Sequence, residues 1–121
     1  MADYPAGISH RRRISGVSHW RWQRYSAIVV LVLMTYFTVL LATIGGLDFD
    51  SAQALVAKPL NAIALTVLIV AGLFHGAVGL QVVIEDYVSI KGGRKLFIMM
   101  VKADLFIIGL ASLWALAKIA L

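Results

Sequence analysis

His75 is the residue whose type and position most invite chemistry in this chain. It lies well inside a long apolar stretch, away from either end. An ionisable side chain at membrane depth is costly, which makes it a candidate for function. Neutral imidazole is a standard axial ligand of haem iron. A histidine hydrogen-bonded to a neighbouring helix is the other reading of the same position. Asp86 follows eleven residues later. On a helix that is about 16 Å along the axis and within roughly 20° of the same face. His75, Gly79, Val82 and Asp86 then form one stripe, with Tyr87 a step round from it. Gly79 at i+4 and Gly72 at i−3 lie beside the imidazole. Without side chains there, a flat macrocycle could approach the backbone. Gly72-x-x-x-Gly76 reads equally as a helix-packing motif. The Tyr87 phenol can donate a hydrogen bond to a quinone carbonyl. Asp86 and Tyr87 are also ordinary residues for a helix end at a membrane interface. Arg24 can pair with carboxylates, haem propionates among them, through a bidentate guanidinium. It can also snorkel to lipid headgroups.

The histidine count adds a constraint. His10 and His19 fall in the polar N-terminal segment, so only His75 can reach a mid-membrane iron. A bis-histidine haem would need its second ligand from another chain, and the site would be shared across a subunit interface. Lys102 and Asp104 interrupt a later apolar stretch. At i,i+2 they point to different helix faces and do not form a natural pair. Lys102 can snorkel to the surface, and Asp104 is expected to face protein rather than lipid. Its favoured role is structural, with proton movement as the alternative.

The elements that must position these residues follow from composition. The 121 residues are 61% hydrophobic and only 14% charged, with a mean hydropathy of +0.90. Soluble domains carry about a quarter charged residues. A span needs about 20 mostly apolar residues. Three stretches meet that length, at about 25–44, 60–87 and 96–116. The expected fold is therefore all-α and integral to the membrane, with three transmembrane helices contributing to a multi-subunit bundle. Residues 1–24 form a basic N-terminal segment, and 25–121 form the transmembrane domain. Gly45 and Gly46 suit the end of the first span. Asp50 or Ser51 could cap a short amphipathic turn through Lys58, and Pro59 suits the first turn of the second span. Gly92 and Gly93 mark the next turn.

Loop charges set the orientation. Arg11, Arg12, Arg13, Arg21 and Arg24 precede the first span, and Lys91, Arg94 and Lys95 follow the second. The first connection holds only Lys58. The positive-inside rule puts the N-terminus and second connection in the cytoplasm and the C-terminus in the periplasm. Asp86 and Tyr87 then sit at the cytoplasmic end of their helix. The basic stretch runs straight into the first span, as in an uncleaved protein of a bacterial inner membrane rather than a targeting peptide. The net charge of +5 belongs to orientation and anionic lipid headgroups, not to nucleic acid. With no cysteine, disulfides, thiolate metal sites and thiol catalysis are excluded.

The run Phe74-His75-Gly76-Ala77-Val78-Gly79-Leu80-Gln81-Val82-Val83-Ile84-Glu85-Asp86-Tyr87 resembles the signature of the succinate dehydrogenase membrane anchor family. Its pattern is a histidine, ten residues, then Asp-Tyr, late in the second of three spans. His19-Trp20-Arg21-Trp22-Gln23-Arg24-Tyr25-Ser26-Ala27 resembles the family's approach to its first helix. The resemblance covers essentially the whole chain. It implies that His75 is an axial ligand of haem b, the other ligand coming from a companion cytochrome b subunit. It implies that Tyr87 hydrogen-bonds ubiquinone, with Asp86 supporting that site. Arg24 matches an arginine near the haem propionates. His19 or Ser18 matches a polar residue of the same neighbourhood. Flavoprotein and iron–sulfur partner subunits would deliver electrons from succinate. The chain would then supply anchorage and part of a quinone pocket, and no dehydrogenase chemistry of its own. A fumarate reductase-type anchor, a non-redox assembly protein with His75 as interhelical glue, and a small transporter are the competing readings. The last is disfavoured by three spans without an inverted repeat.

Overall fold

The computed structural model describes residues 6–43, 48–89 and 91–121, with side chains within 16–43, 48–89 and 92–121. Four helices make up these residues: α1 (Ala6–Thr43), α2 (Phe49–Ala57), α3 (Pro59–Tyr87) and α4 (Lys91–Ala120). No strand occurs among the described residues. Stretches of α1, α3 and α4, namely Gly16–Thr43, Pro59–Tyr87 and Gly92–Ala120, are long and apolar enough to cross a membrane. The expected all-α, three-span architecture is the one found.

The boundaries differ in instructive ways. α1 starts at Ala6, far ahead of the apolar run that opens near Tyr25, and is 38 residues long. That is about 57 Å, well beyond a hydrocarbon core of roughly 30 Å. The basic segment thus continues the first helix out of the apolar layer. No proline interrupts residues 6–43, and arginine is a good helix former in water. The proposed stop at Gly45–Gly46 lies outside the described residues. Gly92 and Gly93 belong to the first turn of α4, not to a loop. Val88 is the C-cap of α3, and Arg94 Nε donates to its carbonyl at 2.8 Å. This bond ties the start of α4 to the end of α3.

The short helix is capped two residues earlier than Asp50 and three earlier than Ser51. Asp48 is the N-cap of α2, with extended backbone, and its carboxylate accepts from the Ser51 amide at 2.6 Å. That hydrogen bond, and the further side-chain bond from Ser51, hold the exposed Asp48 carboxyl below its ordinary value of 3.8. Pro59 opens α3 as expected, since its missing N–H has no helical partner to lose there.

α3 is the central helix. α1 and α4 each pack on it and, among the described residues, do not bring their backbones close to one another, while α2 packs on α3 and α4. The α3–α4 contact is tight at Gly109, where an added Cβ would come within 2.8 Å of Leu73 Cδ1. At the α2 end, Asn61 is only 4% exposed. Its Nδ2 donates to the Leu55 carbonyl at 2.8 Å, and its Oδ1 accepts from the Tyr36 hydroxyl at 2.6 Å. One side chain therefore joins α1, α2 and α3. Away from such contacts, hydroxyls turn back on their own helix. Thr35, Thr38, Thr66 and Ser112 each donate to the carbonyl four residues earlier at 2.8 Å. In an apolar solvent this satisfies them without water. Few large apolar residues are buried: Leu55, Ile84 and Leu116 among those described. The outward faces stay apolar, as helices meeting lipid or other membrane helices require.

Candidate functional site

His75 lies near the middle of α3 and faces α1. Its Nδ1 is 3.1 Å from Ser26 Oγ, which is itself 3.0 Å from the Gln23 carbonyl oxygen. Ser26 is 7% exposed. Its partner imidazole is half-buried. The other ring nitrogen, Nε2, makes no hydrogen bond among the described residues. One turn further along α3, Gly79 meets α1 as well: a Cβ there would sit 3.4 Å from Gln23 Nε2. The expectation that Gly79 leaves space for a macrocycle is therefore corrected. That glycine faces the Gln23 side chain of α1, which a Cβ would meet at ordinary contact distance. Gly72 and Gly76 behave differently, since a Cβ at either would meet nothing within 4 Å. Among the described residues, the Gly72-x-x-x-Gly76 motif has no close neighbour at its two Cβ positions and presents an open face beside His75.

The stripe from His75 to Asp86 is divided in the structure. His75 and Gly79 lie against α1, whereas Val82 and Asp86 are exposed. Tyr87, the last residue of α3, is 84% exposed. Three open grooves run along α3, and neither Asp86 nor Tyr87 lines any of them. The acid and the phenol stand at the surface of this chain. Any pocket there needs walls from elsewhere.

Arg24 is exposed on α1, its guanidinium carbon 4.3 Å from the centre of the Trp20 ring. The ring steadies the cation without neutralising it. His19 lies on the face of α1 turned toward α3. Its Nε2 is buried without a hydrogen-bond partner, as is Gln23 Oε1. A groove of about 470 Å³ gathers Ser18 and His19 with Trp22, Gln81 and Lys102. Ser18 and His19, both matched to one family position, thus open on the same space. Trp22 closes one end of it, packing edge-on against Phe74 at 6.3 Å. Lys102 and Asp104 are both exposed. Within this chain Asp104 faces outward.

Among the described residues no group of three or more His, Cys, Asp or Glu gathers to hold a bare metal ion. A lone imidazole suits a metal that brings its other ligands with it, as iron does inside a tetrapyrrole. Sequence reasoning found His75 but missed Ser26 and Gln23. The available signal was a serine just inside the first span, followed by a purely apolar run to Met34. What hid it was register: spacing along one helix does not say which residue of another lies opposite.

Comparison with known proteins bears on the whole chain. Residues 7–111 match the family model described as succinate dehydrogenase/fumarate reductase transmembrane subunit. A succinate dehydrogenase hydrophobic membrane anchor subunit of Rickettsia felis is 31% identical over 100 residues, covering 83% of this chain and 82% of the relative. Its counterpart from Rickettsia bellii is 32% identical over 88 residues, covering 73% and 70%.

Proposed function

The chain belongs to the succinate dehydrogenase/fumarate reductase transmembrane subunit family, and from that premise we propose that it anchors a succinate:ubiquinone oxidoreductase while sharing a haem b and part of a quinone-reduction site. The observation that carries this reading is His75: an imidazole at mid-span, held at Nδ1 by Ser26, with no partner on Nε2 among the described residues. The open glycine face at Gly72 and Gly76 fits a flat group lying close to α3. The orphaned polar atoms of His19 and Gln23 fit a site whose polar partners come from outside the chain.

Within this reading each residue has a distinct task. His75 Nε2 would hold the haem iron through its lone pair, with a histidine of the companion cytochrome b subunit as a second ligand. A bound haem b supplies one-electron redox chemistry. Arg24, exposed on α1 and backed by Trp20, pairs with propionate carboxylates, and His19 adds a polar contact in that neighbourhood. At the end of α3, Tyr87 donates its phenolic hydrogen to a quinone carbonyl. Asp86 holds charge beside it at the water boundary, where the two protons of quinol formation must arrive. The high exposure of both residues suits a pocket completed by the iron–sulfur and cytochrome b subunits. Succinate oxidation belongs to the flavoprotein subunit.

The positive-inside rule puts Tyr87 on the cytoplasmic side of a bacterial inner membrane, with the C-terminus periplasmic. Membrane lipid covers the remaining apolar surface. The family description includes fumarate reductases, but the relatives compared are named for succinate dehydrogenase, which favours the succinate-oxidising direction. The test is purification through a tag on this chain from detergent-solubilised membranes. The expected material contains flavin and iron–sulfur subunits, a second anchor, succinate:ubiquinone reductase activity and a reducible b-type haem band. Isolation of the chain without flavoprotein or haem contradicts the proposal.

A further inference from the structure

We propose that Ser26 is a positioning residue that fixes the tautomer and ring orientation of His75, leaving the lone pair on Nε2. The inference rests on the haem-ligand reading above and extends it to a residue of another helix. Ser26 Oγ has two close neighbours, the Gln23 carbonyl oxygen at 3.0 Å and His75 Nδ1 at 3.1 Å. A hydroxyl brings one proton and two lone pairs, while a carbonyl oxygen can only accept. If Ser26 gave its proton to Nδ1, two oxygens would face each other at 3.0 Å with no proton between them. Both contacts are satisfied together only when Ser26 donates to Gln23 and accepts from Nδ1–H.

Four other Ser and Thr hydroxyls of the spans support that choice. Those of Thr35, Thr38, Thr66 and Ser112 all donate to a carbonyl of their own helix. A neutral imidazole with its proton on Nδ1 carries its lone pair on Nε2. The tautomer also avoids an unpaired Nε2–H at membrane depth, since an orphaned donor is rarer than an under-used acceptor.

The consequence concerns the iron. A ligating histidine that donates its other N–H is held in orientation and made more basic. The basic ligand favours ferric over ferrous iron, so Ser26 lowers the haem potential as well as strengthening the bond. Loss of such an outer partner typically weakens metal affinity by about 10- to 100-fold. Ser26→Ala removes the acceptor and frees the ring. Ser26→Thr keeps a hydroxyl that can bond back to the helix in the same way.

The experiment uses the purified native complex and both variants. Three quantities are read: haem retained per flavin, the haem midpoint potential, and the ferric electron paramagnetic resonance spectrum. Ser26→Ala is expected to assemble with haem held at least about tenfold less tightly, a potential moved positive, and an altered ferric spectrum. Ser26→Thr is expected to restore all three. A potential and spectrum of Ser26→Ala identical to native overturn the inference. If Ser26→Ala does not assemble, pulsed resonance on the native complex decides. A hydrogen-bonded N–H on the remote nitrogen of this ligand upholds the inference, and a free N–H there overturns it. His75→Ala separates the two levels. Unchanged haem in that variant removes the ligand reading and this inference with it. Altered haem there, with a silent Ser26→Ala, removes only the role of Ser26.

Discussion

Asn61→Leu isolates the contact that joins three helices at the α2 end of the molecule. The substitution keeps the branching and heavy-atom count of the side chain, with bulkier methyl groups in place of the amide, while deleting both of its hydrogen bonds. The Tyr36–Asn61 bond, at 2.6 Å, is an interhelical bond between neutral groups. Such bonds average about 0.6 kcal/mol in membrane proteins. The bond from Nδ2 to the Leu55 carbonyl, at 2.8 Å, is buried and contributes about 1 kcal/mol. Leu55 keeps a longer contact from the Lys58 amide at 3.4 Å, so its carbonyl is not left wholly bare. Only the second bond holds α2, so the expected loss there is about 1 kcal/mol, about fivefold in the docked-to-undocked ratio of α2. Hydrogen exchange of the Ser51–Ala57 amides in the purified complex reads that ratio directly, and exchange should quicken by about fivefold in the variant. A cycle with Tyr36→Phe separates the two bonds. Tyr36→Phe alone should cost about 0.6 kcal/mol, and nothing further in the Asn61→Leu background. Additive costs, or unchanged exchange of α2, would refute the three-helix junction.

Three further outcomes follow from the same geometry. Tyr87→Phe should slow quinone reduction by about tenfold or more, the worth of one hydrogen bond to a reacting oxygen, while succinate oxidation by an artificial dye stays intact; equal loss of both activities would mark an assembly defect. Gly76→Leu should leave packing within the chain unchanged, because a Cβ there meets nothing within 4 Å, yet should lower haem content; full haem occupancy in the variant contradicts a flat group against this face. The pH dependence of α2 has a defined sign. Asp48 has a folded-state pKa below 3.8, lowered first by the Ser51 amide. Its contribution is fully present above 3.8 and is lost as pH falls through the lower folded value. Amide protection at Ser51 should therefore fall in that acidic window, and in Asp48→Ala it should be weak at every pH.

The parts legible in the sequence were those that a single helix decides alone. Apolar length marks a span whatever packs against it, so α3 was readable from Pro59 to Tyr87, with His75 inside it. The extension of α1 back to Ala6 was not. Hydropathy reports the solvent a helix meets rather than whether the chain is helical, and Arg11 to Arg24 can continue a helix into water. The cap of α2 was ambiguous because Asp48, Asp50 and Ser51 all have capping side chains, and the extended backbone at Asp48 decided among them. The contacts of His75 with Ser26 and of Gly79 with Gln23 depend on the register between α1 and α3. Periodicity along one helix carries no information about that register. Tyr87 and Asp86 were readable as the end of α3, but the pocket proposed for them was not, because both stand exposed at the surface of this chain.

The most direct measurement is the reduced-minus-oxidised spectrum of the complex carrying His75→Ala, normalised to its flavin and iron–sulfur content. An imidazole acting as axial ligand requires the b-type band to vanish or shift while the other subunits remain in place. An unchanged band in a fully assembled complex would leave His75 as a packing residue alone.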